Sequence, residues 1–484
     1  SSRRAYFGDR TTSADQSAAV QGEERDPLEG PFHFIGIGGA GMSVVAELLL
    51  AQGIAVQGSD AQPSSVLDRL RELGATVWDH HAASNVGQAR HVVISTAIRP
   101  ENPELVVAKE QGIAVLHRSQ ALALAAHGQR FVAVAGAHGK TTTSAMLAVG
   151  LRELGWDPGF AVGSNLVGVG SGAHRGTGDV FVAESDESDG SFLNYDPTIA
   201  LVMNVEPDHL DHYGDESALV AAFDEFAARV SGTLVACADD PGSAALALRS
   251  RAAGRIVVTY GRGDADVRIL NQETVGQGLR ADLVAEHVFG GVSAQITLAI
   301  PGDHYLLNAA GAWSAGVALG AQPQAMADAL GAFRGTDRRF QARGEVEGVR
   351  VIDDYAHHPT EVAAVLAMAR TVAGTGQVHV VFQPHLYSRT ITFADQFADA
   401  LSAADSVILT EIYRARENYR DDVTSEIVTS KVAGARYVPV MADAAVEIAA
   451  LAAPGDLVLT LGAGDITTLA PAIVRALDER LSTP

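Results

Sequence analysis

Residues 131–154 read FVAVAGAHGKTTTSAMLAVGLREL. The apolar residues 131–135 predict a buried strand, and residues 144–154 predict a helix. Between them lies Gly136-Ala137-His138-Gly139-Lys140-Thr141-Thr142-Thr143. Strand, glycine-rich turn, Lys-Thr and helix form the layout of a phosphate cradle. Backbone N–H groups in such a turn and at the helix start point at anionic oxygens. Lys140 can reach the outer phosphates of a nucleotide, and the Thr141 hydroxyl can ligate Mg²⁺. The longer spacing G-x-x-x-x-G-K-[ST] is not met, because Val134 stands where its first glycine would be. A tight βα turn without a ligand is the competing reading of the bare pattern.

Lysine usage favours the cradle. The chain has only Lys109, Lys140 and Lys431, and its other basic residues are arginine. One of the three stands where a compact ammonium has a mechanistic use. Net charge is −23 over 484 residues, which disfavours bulk attraction to nucleic acid or an anionic membrane. Anionic ligands must therefore be held by local sites. Cys237 is the single cysteine, so no intramolecular disulfide forms and a reducing, cytoplasmic compartment fits. No apolar run approaches the ~18 residues of a membrane span. Residues 1–28 are polar and charged and read as a disordered leader.

The length suits three domains. From 29 to 128, strands at 32–35, 54–59 and 91–95 alternate with helices at 43–52 and 65–73, predicting a Rossmann-like parallel sheet. From 129 to 341, the cradle opens a central, P-loop ATPase-like α/β domain. It has strands near 180–183, 199–205, 233–238 and 256–259, helices at 216–230 and 306–319, and antiparallel structure over 267–300. From 342 to 484, strands at 349–352, 378–382, 406–409 and 457–461 predict a second Rossmann-like α/β domain. The segments 121–129 and 335–343 read as linkers able to act as hinges.

The first domain carries Gly36-Ile37-Gly38-Gly39-Ala40-Gly41 after a strand, with Asp60 ending the next strand. That fingerprint fits a nicotinamide dinucleotide, with Asp60 on its ribose. A nucleotide sugar also carries a pyrophosphate and fits equally. In the central domain Glu184 continues a strand into ESDESDGSF, where hard oxygen ligands suit Mg²⁺. Asp186, Glu187 and Asp189 are expected to be a solvated acidic loop. His209, in NVEPDHLDHY, can ligate metal or cap a loop. In the third domain DDYAHHPT (353–360) and QPHLYSRT (383–390) follow strands and bring His, Arg and acid groups to one edge. Arg389 can clamp a carboxylate in bidentate fashion.

Taken together, GIGGAGMS, GAHGKTTT, ESDESDGSF, NVEPDHLDHY, PGDHYLLNA, FRGTDRRF, DDYAHHPTEV and QPHLYSRT resemble the Mur ligases of peptidoglycan synthesis, in family order over nearly everything from Phe32 to Asp465. The resemblance implies domains for the UDP-sugar, for ATP and for the amino acid. It implies that UDP-N-acetylmuramate and L-alanine are joined at the expense of ATP, with Mg²⁺, through an acyl phosphate. The protein would work as a monomer or homodimer. By motif, Gly136, His138, Gly139, Lys140, Thr141 and Thr142 would hold the ATP phosphates, with Asn308 on adenine. Arg339, with Asp353 or Asp354, would reach ATP from the last linker and third domain. Thr141, Glu184 and His209 would hold Mg²⁺. Gly36, Gly38, Gly39, Gly41, Met42 and Ser43, with Asp60, would cradle the UDP-sugar. His357, His358, His385 and Arg389 would position L-alanine. Lys140, Glu184, His209 and Arg389 would be the catalytic set.

Two departures from the family pattern stand out. Tyr305 replaces an asparagine that contacts adenine, and could stack on the base instead. Ala137 replaces a frequent threonine in the turn. Several sister ligases use a carbamylated lysine, but no lysine lies between Lys140 and Lys431. That favours the alanine-adding branch. A recycling ligase that attaches a whole tripeptide shares nearly all the motifs.

Overall fold

The computed structural model describes residues 26–166, 171–207, 210–276, 278–415 and 417–482. Of the expected leader, residues 1–25 lie outside this set, while Leu28 already packs against the first core.

Three sheets follow one another along the chain. The first has five parallel strands, ordered Thr76–Trp78, Val56–Ser59, Phe32–Ile35, His91–Ile94 and Ala114–His117. Its central strand is fully buried and runs into the glycine turn at Gly36, as a doubly wound sheet requires. The strands Thr76–Trp78 and Ala114–His117, which the sequence reading left out, are the two edges of the sheet and are exposed or half-buried.

The second sheet has ten strands. At its parallel centre Arg130–Ala135 lies between Ile199–Val202 and Val180–Glu184. These three strand ends therefore deliver the phosphate turn, the residues after Val202 and Glu184 to one edge. Strands Val267–Val275, Gly278–Ala285 and Val292–Leu298 form the expected antiparallel extension, with burial alternating along the last two. Helices Lys140–Glu153 and Asp303–Ala318 pack on each other over this sheet. Cys237 is a buried residue of strand Thr233–Cys237.

The third sheet is ordered Gln341–Val346, Val349–Asp354, Leu457–Leu461, Val378–Phe382, Ser406–Leu409 and Arg436–Tyr437. All but its first pairing are parallel.

The two expected linkers differ. Residues 121–129 are not a free loop: they include most of helix Arg118–Ala125, whose Ala121, Leu122 and Ala125 are buried. One continuous apolar cluster runs from Phe32 and Phe34 through this helix to Phe131, Phe181 and Phe192. Burial thus joins the first and second units. The second linker has an unusual backbone. Gly335, Arg338 and Phe340 all have positive φ, of 105°, 58° and 48°. For the latter two this is a costly backbone state. Across this linker the cores are mostly separate, although Met368 of helix Pro359–Ala373 inserts into the central one.

Candidate active site

Helix Lys140–Glu153 begins at Gly139, whose φ of +83° is left-handed. A side chain there would be strained and would bring its Cβ within 3.0 Å of Met203. Lys140 Nζ curls back to donate to the Gly136 carbonyl at 2.8 Å and to Glu187 Oε2 at 3.0 Å. Burial alone would lower its pKa, but Glu187, Asp186 and Glu184 outweigh this and hold it above the usual lysine range. Burial pushes the Glu187 carboxyl up to about 7, against the pull of Lys140.

The acidic segment is therefore not a solvated loop. Glu187 is 2% exposed. Asp186 Oδ2 accepts from Arg118 Nη2 at 3.0 Å, and Asp189 pairs with Thr96 and His117. The opposing charges on neighbouring strand ends are far apart in sequence, which is why the stretch reads as solvated in isolation. Thr141 Oγ1 donates to Glu184 Oε1 at 2.8 Å, and Gly163 N donates to Glu184 Oε2 at 2.5 Å. A hydroxyl beside a carboxylate is a pair of hard oxygen donors suited to Mg²⁺. His209 lies outside the described residues.

Asn204, quoted within its motif but given no role by the sequence, braces the cradle. Its Oδ1 accepts from Ala137 N at 2.6 Å and His138 N at 3.3 Å, and its Nδ2 donates to the His138 carbonyl at 3.0 Å. His138 Nε2 lies 2.8 Å from Glu206 Oε1. Burial opposes its charging, yet Glu206 raises its pKa. Thr142 is buried in the first helical turn. Asn308 approaches the turn, its Oδ1 within 3.6 Å of where a Gly139 Cβ would be. Tyr305 is 3% exposed and belongs to the central core, so its ring is not offered to a base. An aromatic face three residues before Asn308 on the same helix turns inward with the apolar stripe.

The third domain meets this edge. The His358 ring lies 5.9 Å from that of His138, and Thr360 Oγ1 donates to Glu206 at 3.4 Å. His358 also caps helix Pro359–Ala373 together with Glu361. His357 and His385 lie 6.0 Å apart, and Arg389 Nη1 is 3.2 Å from His385 Nδ1. The two adjacent histidines thus divide, His358 toward the phosphate turn and His357 toward Arg389. Burial brings His357 down to about 4. Arg389 Nε is buried without a hydrogen-bond partner among the described residues.

Arg339 is nearly buried, lies 5.1 Å from the Tyr355 ring centroid and faces Glu361 at 3.8 Å. Asp353 is fully buried. Its oxygens accept from Arg338 at 3.1 Å, Thr460 at 2.6 Å and Thr467 at 2.9 Å. Arg338 also donates to the carbonyls of Gly462 and Gly464, so Asp353 secures the linker to the third sheet. Asp354 accepts from Phe340 N and Ala356 N, and burial raises it to about 6. A cavity of about 660 Å³ opens beside His385, lined by Tyr387, Glu411, Tyr413, Arg414 and Asp465. His385 stacks on Tyr413 at 5.6 Å. These loop residues carry no motif that sequence spacing would reveal.

In the first domain, Asp60 Oδ2 accepts from Gly38 N and its Oδ1 from Ala61 N, both at 2.8 Å. The carboxylate is committed to shaping the glycine turn, which weakens the reading of Asp60 as a ribose ligand. Gly39 caps helix Ala40–Ala51, and Met42 is buried beneath it while Ser43 donates to the Ala40 carbonyl. A Cβ at Gly41 would sit 3.3 Å from Arg118 Nη1.

Three profiles of the Mur ligase family match in succession: the family's catalytic domain over residues 31–130, its middle domain over 134–316 and its glutamate ligase domain over 338–464. The chain belongs to the Mur ligase family. A UDP-N-acetylmuramate–L-alanine ligase from Kineococcus radiotolerans is 51% identical over 473 residues, spanning 96% of this chain and 99% of that protein. One from Paenarthrobacter aurescens is 50% identical, spanning 93% and 97%. Among solved structures, the UDP-N-acetylmuramate-alanine ligase MurC of Thermotoga maritima matches with a TM-score of 0.78 at 28% identity, over 93% of this chain and 100% of that one. A murein peptide ligase of Psychrobacter arcticus shares the fold, at a TM-score of 0.70, 23% identity and coverage of 92% and 98%.

Proposed function

We infer that this protein is an ATP-dependent ligase that joins L-alanine to UDP-N-acetylmuramate, giving UDP-N-acetylmuramoyl-L-alanine, ADP and phosphate. The observation that carries this reading is the meeting of the Lys140 cradle with the third domain's histidines through His138 and His358. We place the domain boundaries at 29–128, 129–341 and 342–484. The reaction calls for no nucleic-acid or membrane partner, and among the described residues no helix is long and apolar enough to cross a membrane. We assign it to the cytoplasm, as a monomer or homodimer.

A carboxylate is a poor electrophile toward an amine. Its oxygen therefore attacks the γ-phosphorus of ATP in line, the bond to the ADP oxygen breaks, and an acyl phosphate forms. The alanine amine then attacks the acyl carbon, and the tetrahedral intermediate expels phosphate as the nitrogen loses its proton. Phosphoryl transfer asks chiefly for positioning and charge neutralisation. Lys140 leaves Glu187 for the transferring group. Asn204 fixes the shape of the turn by taking up the Ala137 and His138 N–H groups. Thr141 and Glu184, with His209, would hold Mg²⁺, which when bound neutralises phosphate charge. Arg389 supplies its unpartnered Nε, with a terminal nitrogen, to the alanine carboxylate, and His385 orients it. The neighbouring cavity is far larger than alanine, so its size alone does not select the amino acid.

Incorporation of labelled L-alanine into a UDP-sugar product tests the reading. The account expects a 1:1 ratio of product to ADP. No product with alanine, but product with a tripeptide whose first residue is L-alanine, would assign the recycling reaction instead.

A further inference from the structure

The acidic segment 184–189 touches the central turn directly and reaches the N-terminal glycine turn through Arg118. Glu187 holds Lys140 of the central cradle. One residue earlier, Asp186 accepts from Arg118 Nη2. Arg118 belongs to the first domain, at the start of helix Arg118–Ala125. Its other terminal nitrogen, Nη1, lies against Gly41 of the N-terminal glycine turn. Asp189 with His117 and Thr96, and Asn194 with Ser119 at 2.7 Å, extend the same seam. A guanidinium presents its donors in a rigid fork, so one edge can keep a carboxylate while another meets a second anion.

We propose that Arg118 and Asp186 are positioning residues that couple the two nucleotide sites, so that a nucleoside-diphosphate sugar on the Gly36–Gly41 turn tightens the binding of ATP on the Lys140 cradle. The proposal rests on the assignment of those two turns to those two ligands. A diphosphate fixes Arg118, which fixes Asp186, which orders the segment carrying Glu184 and Glu187. The second nucleotide then does not meet the ordering cost again. Linkage makes the effect reciprocal.

The test is calorimetric titration of the full chain with a non-hydrolysable ATP analogue, with and without saturating UDP-N-acetylmuramate. The wild type is expected to bind the analogue about five-fold or more tightly with the sugar nucleotide present. In Asp186→Asn, each ligand alone should bind within about three-fold of wild type, and the ratio should fall to about one. If that variant does not fold, Arg118→Met is read by the ratio alone, at a sugar-nucleotide concentration raised to saturate it, since loss of the guanidinium should itself weaken the sugar nucleotide; the ratio should again be near one. An equal ratio in the wild type and a folded variant overturns the coupling. Failure of the wild type to bind the nucleotides, singly or together, overturns the functional assignment, and the coupling with it.

Discussion

The Lys140 ammonium lies 3.0 Å from Glu187 Oε2, with both side chains largely withdrawn from water. This pair must open when a phosphate takes the lysine. Lys140→Ala should lower kcat/KM by at least ~10²-fold, the usual scale for a group that stabilises transferring charge. Glu187→Gln keeps a hydrogen-bonding partner for the lysine and should cost far less. ADP formation measured on both variants decides the matter. Equal losses would make Lys140 only the partner of a buried pair.

Asn204→Ala should raise the KM for ATP by about tenfold or more, since it orphans the turn groups that Asn204 satisfies. Asn204→Asp retains the acceptor and adds a negative charge facing the phosphates, so it should be worse than alanine. Nucleotide titration checks both. An Asp variant that binds as well as wild type would show that Asn204 does not face the phosphate side.

Burial brings both His304 and His357 down to about 4 from the ordinary 6.5. Between these values the unfolded chain binds more protons than the folded one. Stability should therefore be full above about pH 6.5 and fall as the pH drops toward 4, by up to ~3 kcal/mol per histidine. Burial pushes Glu361 up, but His357 and Arg339 outweigh it and hold it at about 2, so a further loss follows below about pH 4.5. Urea midpoints at pH 5 and 7.5 should differ less in His304→Gln than in wild type. An unchanged difference would remove His304 as a source.

Arg389 is half-buried, and its Nε is buried with no hydrogen-bond partner among the described residues, poised for a carboxylate. Arg389→Lys should raise the KM for L-alanine about tenfold or more, because a lysine cannot reproduce a bidentate clamp, while the KM for ATP stays close to wild type. A parallel rise in both would mean that Arg389 supports the fold of the site rather than the amino acid.

The parallel sheets were legible because strands such as Arg130–Ala135, buried from Phe131 onward, and Val378–Phe382, buried throughout, are predominantly apolar. The edge strand Ala114–His117 was missed because its apolar run, residues 113–116, is short and passes directly into helix Arg118–Ala125. In the site, Lys140, Thr141 and Glu184 could be found because each sits next to a strand or turn in sequence. The roles of Arg118, Asn204 and Asp186 arise only when neighbouring strand ends converge. The acidic run looked like a solvent-facing loop because its counter-charges, Lys140 and Arg118, are 47 and 68 positions from their partners. Asp353 and Asp354 are adjacent and look interchangeable, yet one faces the linker arginine Arg338 and the other faces backbone N–H groups. Alternation along strand Val349–Asp354 sends neighbouring side chains to opposite faces.

The most direct measurement is phosphate release by the purified chain with ATP and Mg²⁺, omitting each of UDP-N-acetylmuramate and L-alanine in turn. The account predicts sustained release only in the complete mixture, with one phosphate per UDP-N-acetylmuramoyl-L-alanine formed. Release at the same rate without the sugar nucleotide, or a complete mixture that yields no amide product, would contradict it.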